Sequence, residues 1–180
     1  MTLPETTAEL TTYIENRYHA RHREQLPELR SLSAKVEAVH AESPDVPAGL
    51  ADLLADIIGE LEVHMKKEEL ILFPAIRQGH GSQMGHPISV MRADHDDHLG
   101  AIAKIRSLTK NLTLPEHACG TWRRLYTGLG EFLSDIEEHI RVENDILFPQ
   151  FESEKRAEPG PYASSPCMAH EFEGGGERNS

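Results

Sequence analysis

The strongest constraint on the fold is an internal repeat that carries histidine and glutamate. Residues 64–74 read HMKKEELILFP, and residues 139–149, 75 positions later, read HIRVENDILFP. Residues 19–22 read HARH, and residues 95–98, 76 positions later, read HDDH. The chain therefore contains two copies of one unit, in which an HxxH motif precedes an HxxxE motif. A bundle of two such units implies a pseudo-twofold axis, on which matched side chains from both halves meet.

The spacing of the apolar residues predicts four helices. Apolar residues recur every three or four positions in four segments, and no segment alternates for long enough to favour a strand. The segments span about residues 7–42, 48–78, 87–110 and 115–152, and Pro27 is expected to kink the first of them. Because the connections are short, we predict an all-α, up-down-up-down four-helix bundle built from two helical-hairpin repeats.

The length of the chain suits a single domain, since 180 residues are too few for two domains of ordinary size. We assign residues 1–152 to the bundle. Residues 153–180 have too little apolar content to fold alone, and we predict a disordered tail there. The two cysteines, Cys119 and Cys167, are too few for a disulfide framework or a thiolate metal cage.

The charge of the chain argues against two classes of partner. The chain has 18 Lys and Arg residues and 30 Asp and Glu residues, which gives a net charge of −12 with histidine neutral. Such a surface disfavours nucleic acid and anionic membranes. No stretch approaches the roughly 20 apolar residues of a membrane span, and the first residues do not resemble a signal peptide. We therefore expect a cytoplasmic protein with no membrane partner.

The repeated histidines and glutamates fall in phase with the apolar core positions. In the second segment these positions step by three and four residues, and the same step reaches His64, Glu68 and Ile71. The equivalent positions of the fourth segment are His139, Glu143 and Ile146. An isolated HxxxE on a helix is usually a solvated pair. Two copies, each in phase with the core, instead predict that histidine and glutamate replace core residues.

A buried carboxylate with no partner costs several kcal/mol, a large share of the roughly 5–15 kcal/mol that stabilises a domain. Two buried histidine–glutamate pairs therefore require a compensating cation. Residues four positions apart share one helix face, so each HxxxE presents an imidazole and a carboxylate inward, as in the dinuclear metal sites of helix bundles. Nitrogen and oxygen ligands suit iron, and they also suit manganese or zinc.

The HxxH motifs leave a choice, because His22 and His98 repeat as well as His19 and His95 do. We prefer His19 and His95, since apolar residues follow both at +7 and +10. His22 and His98 are then expected beside the site or at its rim. His40 is 21 residues from His19, or about 30 Å along a continuous helix, and is not expected to be a ligand.

These motifs, together with GHPISVM at residues 85–91, resemble those of the hemerythrin-like di-iron proteins. Within that group the sequence is most similar to the iron–sulfur cluster repair family, also called repair of iron centres proteins. The resemblance covers about residues 8–152. Its strength lies in the order and separation of the motifs, since each motif alone is of modest specificity.

The resemblance implies a non-haem centre of two iron ions that is oxo-bridged when oxidised. It also implies a role in restoring iron–sulfur clusters damaged by oxidative or nitrosative stress, by iron donation, by nitric oxide chemistry such as its reduction, or by both. The partners would be proteins with damaged clusters, with oxygen or nitric oxide as small ligands. Carried over by position, the ligands would be His19, His64, Glu68, His95, His139 and Glu143.

Reversible oxygen binding, as in oxygen-carrying hemerythrins, is the alternative function. Those proteins use five histidines and an aspartate placed one residue further along the last helix. This chain instead has glutamate at the HxxxE spacing in both halves and four well-placed histidines, which favours a more open centre.

Repair-family members commonly begin with a short domain that bears a cysteine pair, whereas here the bundle begins close to Met1. We expect any step that this domain performs either to be absent from this chain or to be supplied by a partner.

Overall fold

The computed structural model describes residues 3–152, and within this range it forms four long helices and no strand. The first helix, α1, consists of Thr7–Ile14, a π-helical turn at Glu15–His19, and Ala20–Val39. The side chain of Thr6 caps its start by accepting a hydrogen bond from the backbone N–H of Glu9. The helix continues through Pro27, so the proline does not end it, and the expected kink stays a prediction.

The second helix, α2, consists of Leu50–Lys67, a π-helical turn at Glu68–Leu72, and Phe73–Arg77. It begins after Gly49, whose φ of 85° lies in the left-handed region that glycine adopts easily. The backbone N–H of Gly49 donates to the carboxylate of Glu37 on α1. This contact ties the start of α2 to the end of the preceding helix.

The second half of the chain repeats this hairpin. The third helix, α3, spans Gly85–Leu108 and ends before three residues with positive φ, Lys110–Leu112. The fourth, α4, consists of Gly120–Arg141, a π-helical turn at Val142–Leu147, and Pro149–Glu152. Each helix packs against the next, and α4 also packs against α1. The predicted all-α four-helix bundle is confirmed. The predicted tail, residues 153–180, lies outside the described residues.

The interior contains two apolar clusters with a polar layer between them. The larger cluster surrounds Trp122, and the smaller one surrounds Phe73 and Phe148. Along α2, Leu61 belongs to the larger cluster and Leu72 to the smaller one, and the HxxxE motif lies between these two residues. The clusters hold the helices together on both sides of the polar layer.

The π-helical turns correct one prediction. Ile71 and Ile146 were expected at core positions, but Ile71 is 59% exposed and Ile146 is only partly buried, whereas Leu72 and Leu147 are fully buried. A π-helical turn inserts one residue into the α-helical repeat and rotates everything after it. The prediction assumed a regular α-helix after each glutamate, and it therefore placed the next buried position one residue too early.

Candidate metal centre

The six predicted ligand residues meet in the polar layer of the bundle. Each is almost completely excluded from solvent, with a relative exposure of 0–1%. The set is His19, His64, Glu68, His95, His139 and Glu143. All three π-helical turns contain one of these residues or end on one. Such turns often occur at functional sites, where the wider helix turn changes the direction of a side chain.

The six residues form two groups that share both glutamates. One group adds His19 and His139 to Glu68 and Glu143, and the other adds His64 and His95 to the same two glutamates. Within each group, one nitrogen or oxygen atom from every residue lies within 4.8 Å of the others. Each histidine pair takes one member from each half of the chain. The arrangement has the pseudo-twofold symmetry that the repeat predicts.

Each glutamate lies between histidines of different groups. The Nε2 atoms of His19 and His64 lie 3.2 Å and 3.4 Å from the same oxygen, Oε2 of Glu68. The Nε2 atom of His95 lies 3.0 Å from Oε2 of Glu143, and that of His139 lies 3.1 Å from Oε1. Both carboxylates are therefore positioned to bridge two cations.

Most of these close contacts are not hydrogen bonds. Within residues 3–152, the Nε2 atoms of His19, His64 and His95 and both carboxylate oxygens of Glu68 have no hydrogen-bond partner. Buried polar atoms without partners are costly, and here they converge on one another. Metal ions between the imidazole nitrogens and the carboxylates would satisfy them, so the donor set fits a pair of divalent or trivalent ions.

Burial keeps two of the four histidines of the site in the neutral form that binds metal. Burial lowers the pKa of His19 to about 4 and that of His64 to about 3, so both imidazoles are neutral and keep a lone pair at neutral pH. Burial, aided by the nearby Glu143, raises the pKa of Glu68 well above its usual value. Burial alone would raise the pKa of Glu143 too, but His139 and His95 lower it well below its usual value.

Three side chains that the sequence analysis did not identify orient the histidines. Nδ1 of His19 lies 2.8 Å from a carboxylate oxygen of Glu69, which also accepts a hydrogen bond from Arg23. Nδ1 of His64 lies 3.3 Å from Asp94. An acceptor at Nδ1 fixes the imidazole tautomer and leaves Nε2 free for a metal.

His95 has a neutral partner, since its Nδ1 lies 3.0 Å from Oδ1 of Asn144. Glu69 and Asn144 directly follow the two repeated glutamates and are themselves 75 positions apart. The repeat could therefore have identified both residues, since they occupy equivalent positions. Asp94 could not be found this way, because the equivalent position in the first half, 76 residues earlier, is Tyr18.

His22 and His98 lie beside the site, and His98 also lines a groove at the surface. They are 0% and 6% exposed, and neither belongs to the two four-residue groups. The ring of His22 lies 5.4 Å from that of His139, and the ring of His98 lies 5.0 Å from that of His64. Burial lowers their pKa values to about 2 and about 4, so both are neutral imidazoles packed against the site.

His40 lies apart from the six residues, at the end of α1. Its Nε2 is 3.2 Å from Sγ of Cys119, and its ring is 5.0 Å from that of Trp122. Cys119 is the residue that precedes α4 and is partly exposed. His40 thus contacts a thiol and not the polar layer.

We expect Cys119 to react with alkylating agents at a rate that is half-maximal near pH 7. His40, together with the first backbone N–H groups of α4, lowers the pKa of Cys119 to about 7, and only the thiolate reacts. The rate should rise as pH increases through this value. It can be measured with iodoacetamide in a Cys167→Ser background. His40→Ala should move the midpoint toward about 8.5, the ordinary thiol value. A midpoint of about 8.5 in both proteins would show that His40 does not lower the pKa of Cys119.

Comparison with known proteins identifies the family of the chain. The Hemerythrin HHE cation binding domain matches residues 11–151. The chain belongs to this family. The name of the family describes a cation-binding domain, and the buried histidine and glutamate groups are of the kind that binds metal.

Several curated relatives of this hemerythrin-family chain are named for one activity. An iron–sulfur cluster repair protein, YtfE, of Yersinia pseudotuberculosis serotype IB (strain PB1/+) is 54% identical over 141 residues, which is 78% of this chain and 64% of the relative. The protein of the same name from Yersinia pestis (strain Pestoides F) matches with the same identity and coverage. The chain thus spans just under two thirds of the length of these relatives. Among residues 3–152, no helix has the length and apolar character needed to cross a bilayer.

Proposed function

We propose that the chain binds two iron ions, oxo-bridged when oxidised, and takes part in restoring iron–sulfur clusters damaged by oxidative or nitrosative stress. The observation that carries this proposal is the pair of buried glutamates, each in contact with histidines of both groups. The identity to proteins named for cluster repair supports the choice of reaction. The proposed partners are proteins with damaged clusters, and nitric oxide or oxygen as small ligands.

In this proposal Glu68 and Glu143 would be shared by the two ions. His19 and His139 would hold one ion, and His64 and His95 would hold the other. Two histidines and two shared carboxylates would leave coordination positions open on each ion, so that ligands could exchange and iron could leave. When bound, the iron pair would supply redox chemistry and exchangeable positions for small molecules. Iron is preferred to manganese or zinc on the strength of the relatives, because the donor set suits all three.

A surface groove of about 350 Å³ adjoins this site. It is lined by Glu60, Lys67, Asp94, Asp97 and His98, among others. Asp94 contacts the buried His64 from this groove, and His98 packs against the same ring. Its excess of carboxylates favours cations.

Transfer of iron to a cluster-depleted enzyme tests the proposed function. Iron-loaded, reduced protein is mixed with the depleted enzyme, and restored activity is compared with the iron that the protein loses. We expect the two to rise in proportion, and metal-free protein with the same total of free ferrous ion to restore less. The same protein exposed to nitric oxide should form an iron–nitrosyl species.

Two outcomes would contradict cluster repair. A long-lived oxygen adduct with unchanged iron content would favour the oxygen carrier. Turnover of nitric oxide without restoration of the depleted enzyme would identify a nitric oxide reductase or scavenger that uses the same six residues.

A further inference from the structure

The internal repeat extends to the side chains that surround the six-residue site. Glu69 and Asn144 are equivalent positions of the two halves, and each accepts from Nδ1 of a histidine on the first helix of its own half. The distances are 2.8 Å from Glu69 to His19 and 3.0 Å from Asn144 to His95. At this pair of positions both halves provide the same kind of support.

The repeat breaks at the other pair of supporting positions. Asp94 contacts Nδ1 of His64 at 3.3 Å and is itself held by Lys67 at 2.8 Å. Its equivalent, 76 residues earlier, is Tyr18. Tyr18 does not accept a hydrogen bond from His139. Its ring instead stacks on the imidazole, with centroids 5.1 Å apart and planes 6° apart.

His139 is consequently the least supported histidine of the four. Its Nδ1 is buried and has no hydrogen-bond partner in the described range, residues 3–152, whereas the Nδ1 atoms of His19, His64 and His95 each have one. A stacked ring restrains the plane of an imidazole. It does not accept the Nδ1 proton, so it cannot make Nε2 a stronger ligand in the way that a carboxylate or amide oxygen does.

The difference falls on only one of the two metal positions. We call the position between His19 and His139 the tyrosine side, and the position between His64 and His95 the aspartate side. On the aspartate side both histidines have an acceptor at Nδ1. On the tyrosine side only His19 has one. The closer contact of Glu69, at 2.8 Å, supports His19 alone and leaves His139 without an acceptor.

We propose that the two metal positions are unequal, and that the ion on the tyrosine side leaves first while the ion on the aspartate side is retained. This inference rests on the proposed function and makes it more specific. Each delivery event then transfers one iron, and the half-loaded protein keeps its fold and its second ion until it is recharged. Tyr18 is in this sense a positioning residue that sets the order of release.

Release of iron to a chelator tests the order. Reduced, iron-loaded full-length protein is mixed with an excess of a ferrous chelator, and the coloured complex is followed with time. Loss of an outer hydrogen-bond partner typically weakens metal binding by about 10–100-fold. We therefore expect two phases of equal amplitude whose rates differ by about this factor. A single phase that releases both ions would overturn the inequality.

Two matched substitutions assign the phases to their positions. Glu69→Ala removes the acceptor of His19 on the tyrosine side and should accelerate the fast phase alone. Asp94→Ala removes the acceptor of His64 on the aspartate side and should accelerate the slow phase, so that the two phases converge. The control is Glu137→Ala, a matched truncation at an exposed residue of α4 that pairs with Arg106, which should leave both phases unchanged. Acceleration of the fast phase by Asp94→Ala would reverse the assignment and overturn the proposal.

A direct observation of the half-depleted protein separates this inference from the proposed function. Crystals of protein stopped after the fast phase, measured at the iron absorption edge, should retain iron between His64 and His95. Retained iron between His19 and His139, or half occupancy at both positions, would overturn the order of release and leave cluster repair intact. Protein that never holds two ions would overturn both.

Discussion

Replacing Glu68 or Glu143 by alanine is expected to remove most of the bound metal, a fall of about tenfold or more in iron content. Each carboxylate contacts a histidine of both groups, so its loss takes a ligand from both ions. The expected effect is larger than that of removing a hydrogen-bond partner of a ligand, which lowers metal affinity by about 10–100-fold. Iron per chain after identical loading is the measurement.

The controls for this prediction are His22→Ala, His40→Ala and His98→Ala. His22 and His98 pack against ligand rings but lie outside both four-residue groups, and His40 contacts Cys119. All three variants should keep more iron than either glutamate variant. Circular dichroism checks that each variant is folded, because alanine in a packed core leaves a cavity. Iron loss in His40→Ala equal to that in Glu143→Ala would contradict the geometry of the site.

Removal of the metal is expected to lower the Tm of the protein by about 10 °C. A ligand present at 1,000 times its Kd stabilises the folded state by about 4 kcal/mol, and in a chain of this size each kcal/mol shifts Tm by about 2–4 °C. The loss also leaves the buried Glu68 carboxylate facing Glu143, which disfavours ionisation of Glu68. Thermal unfolding with and without a chelator measures the shift.

The glutamate variants provide the control for this second prediction. Because they hold little metal, a chelator should change the Tm of Glu68→Ala or Glu143→Ala by only a small amount. Unchanged unfolding of the wild-type protein after complete removal of metal would show that the site contributes nothing to stability. That result would contradict the account in which bound metal compensates for burying the unpartnered nitrogen and oxygen atoms of the polar layer.

The helices and the meeting of six polar side chains follow from sequence because both depend on periodicity. His64 and Glu68 are four residues apart and in phase with the core, so any regular helix buries them together. The repeat then requires the same of His139 and Glu143. The family and the bundle fold are confirmed, while the role of the six residues as ligands stays a prediction.

Three features depend on geometry that periodicity does not contain. The π-helical turns add a residue after each glutamate, which made the expectation for Ile71 wrong. In the HxxH motif of the first half, His19 and His22 are three residues apart on one helix face, and both are buried. Helical periodicity alone therefore cannot tell which of the two is a metal ligand. Asp94 contacts a histidine of another helix, and Cys119 lies 79 residues from His40. Such partners are set by tertiary packing.

The most direct test of the account is the metal content and the position of the metal in protein purified from iron-supplemented cells. We predict about two iron ions per chain, as in other dinuclear bundle sites, with near-ultraviolet absorption typical of an oxo-bridged pair after oxidation. Crystals measured at the iron absorption edge should show one ion between His19 and His139 and the other between His64 and His95, with Glu68 and Glu143 between the two. Bound zinc, a single ion, or no metal at these residues would contradict the account.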